Sequence, residues 1–457
     1  MIQPVKYTTQ EIRELMIRHT SPKVKIAVAD MDGILRGKVV SKEKFLSILE
    51  KGFGFCDVIF GWDASDELYE KTKVTGWHTG FPDAPANVDV NTFREIPWDS
   101  HTPFFLADFS KSDTFSEVCP RTLLKKLREE TLSDGFQPIF SQEFEWFNFS
   151  ETPSSLIEKD FQDLIPITPG MFGYSILRSS YKSAYFNQLF EDLSNIRVPL
   201  EGLHTETGPG VYEAAIQATD ILEAADRAVL FKTSVKEIAF QHEIIASFMA
   251  RWNKNLPGCS GHVHQSLWDT ECKRNLFYDP NGRHKMSKLM NSYLAGQMRY
   301  LPELLPLCAP TTNSYKRLVE GYWAPTTINW GIDNRTTSFR VLPQGESASR
   351  IETRIVGSDT NPYLAMSACL AAGLYGIRND LSLEQELIKG NGYEDKEGRK
   401  LASSLEEATT IFRNSEVAHE LLGETFVHHF AMSREWEAQQ YNADDPRWEL
   451  RRYFEII

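Results

Sequence analysis

Two acidic pairs and one histidine pair are the residues of this chain best spaced for chemistry. In FSQEFEWFNF, Glu143 and Glu145 alternate with Phe144 and Trp146, so on a strand both acids point to one face while Phe140, Phe144 and Trp146 back the other. Glu206 and Glu213 flank Gly208-Pro209-Gly210 in EGLHTETGPGVYE, a kink that neither helix nor plain strand continues through and that folds the two carboxylates together. His262 and His264 stand two apart in GCSGHVH and share a strand face. Carboxylates aimed into one space repel unless something positive sits between them, and hard oxygen donors with an imidazole suit Mg2+ or Mn2+ better than zinc. Taken alone, a Glu-x-Glu is usually a solvated face and a His-x-His usually structural; their combination with the following segment carries the reading.

That segment runs from 313 to 354 and holds Arg317, Arg335, Arg340, Arg350 and Arg354, with Glu352 between the last two. Guanidinium forks bind carboxylate and phosphate bidentately and keep their charge at neutral pH. Alternation in Arg-Ile-Glu-Thr-Arg puts Arg350, Glu352 and Arg354 on one strand face. A single arginine of this set reads more readily as a surface ion pair, but the set predicts a site for a phosphorylated, carboxylated reactant.

The elements that must position these groups are legible in order. Thr8 and Glu11 form a capping box for a short helix, VKIAVADMDGILRGKVV reads as a hairpin turning at Asp32-Gly33, and Ser41 opens a helix that stops at Gly52. Short strands follow near 87–92 and 104–108, then a polar linker, SKSDTFSEVC. Pro120 starts a helix ending at Asp134-Gly135, directly before the Glu-x-Glu strand. A long helix spans about 220–243, a strand IIASFMA leads to the histidine pair, and the tail beyond 362 is helical apart from a polar loop near 379–403. The pattern predicts an α+β chain of two domains, 1–112 β-rich and 113–457 built on a mostly antiparallel sheet backed by helices.

With 457 residues, 41% hydrophobic and 25% charged, the chain has ample core. Its net charge of −14 argues against nucleic acid or an anionic membrane as partner. Six cysteines without a C-x-x-C favour a reducing compartment, and no apolar run nears the ~18 residues that span a bilayer. A signal-peptide pattern is lacking at the N-terminus, so the expected location is the cytoplasm.

The sequence resembles the glutamine synthetase superfamily, type I-like, over nearly its whole length. The matching motifs are Glu143-Phe-Glu145, EGLHTETGPGVYE, FKTSVKEIAFQHE, SGHVHQSL, NSYKRLVEGY, NRTTSFRVLP, RIETR and GSDTNPYLAMSACLAAG, in the family's order. The resemblance implies a small β-grasp-like N-terminal domain before the catalytic one. It implies that Glu145, Glu206 and Glu213 hold one divalent metal near the acceptor substrate, and that Glu143, His262 and Glu352 hold another at the ATP phosphates, two to three Mg2+ or Mn2+ in all. Arg317 and Arg354 match positions that grip glutamate, Arg335, Arg340 and Arg350 match nucleotide-phosphate positions, and His264 and Ser266 fall where members touch the substrates. It further implies a double-ringed homododecamer with active sites between neighbouring subunits, and ATP, glutamate and an amine as small-molecule substrates.

One motif departs. Glutamine-forming members carry a glutamate where this chain has Trp323, and an aspartate, where this chain has Cys56 or Asp57, that binds ammonium. An indole is apolar with a cation-attracting face, which predicts an organic amine as acceptor, as in the branch making γ-glutamylamides from polyamines, alkylamines or aromatic amines. The alternatives are an ammonia-using glutamine synthetase in which an acid such as Asp57 or Asp63 takes over, and a non-catalytic homologue serving as scaffold or regulator.

Overall fold

The computed structural model describes residues 6–110, 112 and 114–457. Lys111 and Asp113, two positions of the expected linker and the edge of the expected domain boundary, lie outside the described residues, as do residues 1–5.

The first part of the chain forms a six-stranded sheet from β1 (Lys23–Ala29), β2 (Leu35–Ser41), β3 (Phe53–Cys56), β4 (Asp83–Val88), β5 (Arg94–Ile96) and β6 (Thr102–Asp108). Its order is β2-β1-β6-β4-β3, with β5 paired to β6. Two helices cover it. The capping box of Thr8 and Glu11 opens α1 (Thr9–Arg18), and Ser41 caps α2 (Lys42–Lys51), which stops at Gly52 with φ +70°. The hairpin forms, but not with a two-residue turn at Asp32-Gly33: the register closes at Ala29 and Leu35, leaving residues 30–34 as the connection. Asp30 holds this longer loop, its carboxylate accepting from the N–H groups of Asp32 and Ile34 and pairing with Arg36 at 2.9 Å. Gly33 sits at φ +79° where a Cβ would fall 2.9 Å from the Cα of Asn361, and Asn361 donates to the carbonyls of Asp30 and Met31. The loop is thereby a docking element rather than a free turn.

From α3 (Pro120–Ser133) onward the chain builds a nine-stranded sheet around its longest strand, β7 (Phe136–Phe149). The short helices α4 (Pro153–Glu158) and α5 (Ile176–Tyr181) and the longer α6 (Ser183–Asn195) come before the hairpin of β8 (Leu200–Thr205) and β9 (Val211–Ile216). After β10 (Thr219–Asp220) comes the long helix α7 (Ile221–Gln241), then β11 (Ile245–Ser247), the structured remnant of the longer strand expected in IIASFMA, and β12 (Gly261–Asp269). Helices α8 (Lys288–Tyr300) and α9 (Ser314–Arg317) precede β13 (Trp330–Ile332), β14 (Phe339–Leu342) and β15 (Arg350–Thr353). The tail is helical: α10 (Pro362–Arg378), α11 (Leu405–Arg413), α12 (Glu416–Leu422), α13 (Glu424–Gln440) and α14 (Trp448–Tyr453).

The sheet runs β13-β14-β15-β12-β7-β9-β8, antiparallel except at β13–β14. Its back face is apolar. Phe140, Phe144 and Trp146 are fully buried, and Phe144 stacks on Phe231 of α7 at 5.5 Å. Each such side chain contributes roughly 2–3 kcal/mol by leaving water, so the alternation of β7 leaves its acids little choice but the opposite face. Arg121 of α3, itself buried, joins the two sheets' supports by pairing with Asp89, Asp108 and Asp226 at 2.7–2.8 Å. Among the described residues no helix is long and apolar enough to cross a membrane.

Candidate active site

On the sheet face opposite that core, neighbouring strands bring the acids, imidazoles and arginines into one row. Glu145 of β7 lies across from Glu213 of β9, Glu143 across from His262 of β12, His264 across from Glu352 of β15, and Glu352 across from Arg340 of β14. Apart from Glu352, which is fully buried behind it, the row lines the floor of a cavity of about 620 Å³ whose walls include Arg317, Arg335, Arg350, Arg354, Tyr322 and Trp323. A second cavity of about 520 Å³, between the β1–β2 hairpin and α7, gathers no comparable cluster.

Two ligand-like groups emerge. Oxygens of Glu145, Glu206 and Glu213 lie within 4.8 Å of one another, as do donor atoms of Glu143, His264 and Glu352. Glu206 reaches the first group because the turn after β8 holds it: its N–H bonds the Val211 carbonyl, and its carboxylate accepts from the Thr207 N–H at 2.7 Å. Glu145 accepts from the Ser260 N–H at 2.6 Å. In the second group both imidazoles face the same acids. His262 Nδ1 stands 3.4 Å from Glu143 and 3.3 Å from Glu352, and His264 Nε2 is 3.7 Å from Glu143. His264 is turned by Arg350, whose Nε donates to its Nδ1 at 3.2 Å.

The two groups differ in charge balance. Burial, and then the neighbouring carboxylates of Glu143, Glu145 and Glu206, push the Glu213 carboxyl well above its usual range. Burial and then Glu145 raise Glu206 as well. Glu143 goes the other way, because the hydrogen bond with His262 and the nearby imidazole of His264 outweigh its burial. Glu352 is held at about 2: burial opposes this, but Arg354 and both histidines win. The first group is thus a concentration of acidic groups, with His204 Nε2 3.0 Å from Glu213 and the Arg317 guanidinium acting on Glu145 from the cavity wall. The buried Nε2 atoms of His262 and His264 have no hydrogen-bond partner. Convergent oxygens in electrostatic conflict and orphaned imidazole nitrogens fit divalent cations of the Mg2+ or Mn2+ type.

The arginines divide into held and free. Arg317 donates to the carbonyls of Arg354 and Ile355, Arg354 pairs with Glu352, and Arg340 bridges Glu352 at 2.7 Å and Asp333 at 2.6 Å. Arg335 lines the cavity and forms no hydrogen bond or ion pair with any described residue. Trp323 rises from the segment between α9 and β13, 55% exposed and with φ +61°, a left-handed backbone that a bulky residue adopts only under constraint.

Three sequence-predicted residues lie elsewhere. Ser266 shares the strand face of His262 and His264 but lies too far along β12: its hydroxyl accepts from Trp268 Nε1 at 3.0 Å and it does not line the cavity. Asp57 is buried in the loop after β3, within 3.3 Å of the Thr79 hydroxyl and away from this chain's own cavity. Asp63 is occupied too, accepting from Arg452 at 2.7 Å and Trp436 at 2.9 Å. Conversely, the cavity includes Tyr174, His204 and Tyr322, which sequence reasoning passed over. His204 had a signal, since it precedes Glu206 by two on β8; Tyr174 comes from an irregular loop and had none.

Comparison with known proteins agrees with this geometry. Residues 117–453 match the family "Glutamine synthetase, catalytic domain". Type-1 glutamine synthetase 2 of Dictyostelium discoideum is 52% identical over 96% of this chain and 84% of its own length. Glutamate--isopropylamine ligase of a Pseudomonas species is 36% identical over 98% of both chains. A solved structure described as a GmaS/ADP complex superposes with a TM-score of 0.81 at 25% identity, covering 96% of this chain and 98% of that one.

Proposed function

The chain belongs to the glutamine synthetase family of ligases, and from that premise we propose that it joins the γ-carboxylate of L-glutamate to an organic amine at the cost of ATP. The observation that carries the choice of acceptor is Trp323, an indole in the cavity wall where the resemblance places the glutamate that deprotonates ammonium. The acids proposed to replace it offer little help. Asp63 is tied up by Arg452 and Trp436, and Asp57 is buried outside this chain's cavity.

In the proposed reaction a γ-carboxylate oxygen of glutamate attacks the γ-phosphorus of ATP and ADP leaves, giving an acyl phosphate. The amine nitrogen then attacks the carbonyl carbon, phosphate leaves, and the amine's proton passes to a base. Glu145, Glu206 and Glu213 would hold one divalent cation, and Glu143 and Glu352 with His262 or His264 another, and such cations would supply positive charge for the phosphate groups. The residues of the chain do the rest. Arg317, whose guanidinium donates to the Arg354 and Ile355 carbonyls, and Arg354, paired with Glu352, present fixed cations to the glutamate carboxylates. Arg340 and Arg350 border the nucleotide end, and the unpartnered Arg335 can follow the transferring phosphoryl as its charge spreads. Burial of the floor excludes water that would hydrolyse the acyl phosphate.

The same reading makes the assembly a ring, proposed as a dodecamer of two hexamers, in which Asp57 and its aromatic neighbours complete the cavity of an adjacent subunit. A second reading, ammonia as acceptor, is favoured by the name of the 52% identical relative. Nothing comparable supports a scaffold: the convergence of Glu145, Glu206 and Glu213, and of Glu143, His264 and Glu352, supports a working cation site instead. Purified protein given ATP, Mg2+, glutamate and a panel of amines tests the proposal: phosphate release should exceed background with at least one alkyl-, poly- or arylamine and remain low with ammonia. Turnover with ammonia alone would overturn it.

A further inference from the structure

A third cluster of donor atoms lies far from the cavity in sequence, at the junction of α12 and α13. His419, Glu424 and His428 place one ligand atom each within 4.8 Å of one another. The left-handed Gly423, φ +89°, turns the chain so that the last turn of α12 faces the first turn of α13, and Glu424 and His428 are one helical turn apart on α13. Glu424 uses one oxygen toward each ring: Oε2 is 2.6 Å from His419 Nδ1 and Oε1 is 2.9 Å from His428 Nε2. The rings themselves are 5.2 Å apart.

The decisive detail is the outer contact of His419. Its Nε2 is 2.9 Å from the backbone carbonyl of Arg413, which can only accept, so the proton of the neutral ring is on Nε2. The lone pair on Nδ1 then faces a carboxylate oxygen, and Nδ1 has no hydrogen-bond partner. A lone pair set against an anion is repulsive unless a proton or a cation lies between. An imidazole anchored by its far N–H on a backbone carbonyl is how metal-binding histidines are oriented. The donor set, two imidazoles and one carboxylate, is softer than either group in the active site and matches zinc-type sites with three protein ligands and an open fourth position. Ligands of a tetrahedral zinc ion stand roughly 3.4 Å apart, so the shortest contact here must open slightly, which the exposed Glu424 side chain allows. The open position would face a cavity of about 660 Å³ that Glu424 and His428 line together with Lys71, Arg413 and His429.

We propose that His419, Glu424 and His428 form a binding site for a zinc-class divalent cation, separate from the active-site clusters, that fastens α12 to α13. The test uses the full-length protein with Mg2+ in excess. Under that condition equilibrium dialysis against micromolar Zn2+ should leave one more equivalent on the unaltered protein than on H419Q or H428Q. Co2+ should give the intense visible bands of a four-coordinate N,O site, lost in either variant. Ligase activity should be unchanged in both, which also shows that they fold. Equal zinc content in the unaltered protein and both variants, or a cobalt spectrum indifferent to the substitutions, would overturn the proposal.

Discussion

Replacing Glu213 with glutamine should make the metal-free protein more stable while weakening its response to magnesium. Glu213 is 8% exposed, with oxygens of Glu145 and Glu206 within 4.8 Å. At that separation two unit charges repel by about 3.5 kcal/mol for an effective dielectric of about 20, and the amide removes two such pairs. Proton uptake by the carboxyl, which burial and its acidic neighbours push well up, already relieves part of this in the unaltered protein. Loss of the contact with His204 at 3.0 Å subtracts about 1 kcal/mol more. The net gain is about 1–2 kcal/mol, a rise of roughly 1–2 °C in Tm for a chain of this length. Thermal denaturation followed by intrinsic fluorescence, with chelator and then with Mg2+, reads both effects. The unaltered protein should gain stability on adding Mg2+ and E213Q should gain distinctly less. A lower chelated Tm for E213Q, or an undiminished magnesium response, would refute the view that these carboxylates are arranged in conflict for a cation.

Three further outcomes are expected. W323E should raise the ratio of ammonia to organic-amine turnover by about a hundredfold, the lower end of what a positioned base supplies, measured as kcat/KM for each acceptor by phosphate release. R121M should destabilise the fold by about 3 kcal/mol in urea denaturation, because it leaves buried Asp226 with the Tyr363 hydroxyl as its remaining partner and buried Asp108 with Lys125 as its remaining cation, beside the half-buried Asp89. His429 is buried, which pushes its imidazole down to about 4. Between pH 6.5 and 4 the unfolded chain therefore binds a proton that the native state refuses, and stability falls as the pH drops through that window by roughly 3 kcal/mol. In H429L the acid-side slope should be shallower by that amount when unfolding is followed at successive pH values.

Much of the site was legible because strand alternation is a hard constraint. The apolar partners of Glu143 and Glu145 fixed which way the acids face, and the two-residue spacing of His262 and His264 did the same. What alternation does not tell is how far along a strand the cavity extends: Ser266, which the family resemblance sets among the substrate-touching positions, shares the histidines' face but does not line this chain's cavity. Loops were read less well. Asp32-Gly33 carries a tight-turn signal, but Asp30, Arg36 and Asn361 hold a longer connection, a tertiary effect with no local trace. Helix α6 buries Tyr185, Leu189 and Leu193 at helical spacing, but Lys182 at its start provides no side-chain cap, so no local signal marks where it begins. Tyr174 and Tyr322 enter the cavity from irregular segments, where side-chain direction has no period to read.

The most direct test follows oxygen. Glutamate labelled with 18O in its γ-carboxylate, incubated with ATP, Mg2+ and the preferred amine, should deliver one labelled oxygen to the phosphate released for each amide formed, because that oxygen becomes the bridge of the acyl phosphate. Phosphate released without label, or label retained in full in the glutamate, would contradict activation of the carboxylate at this site.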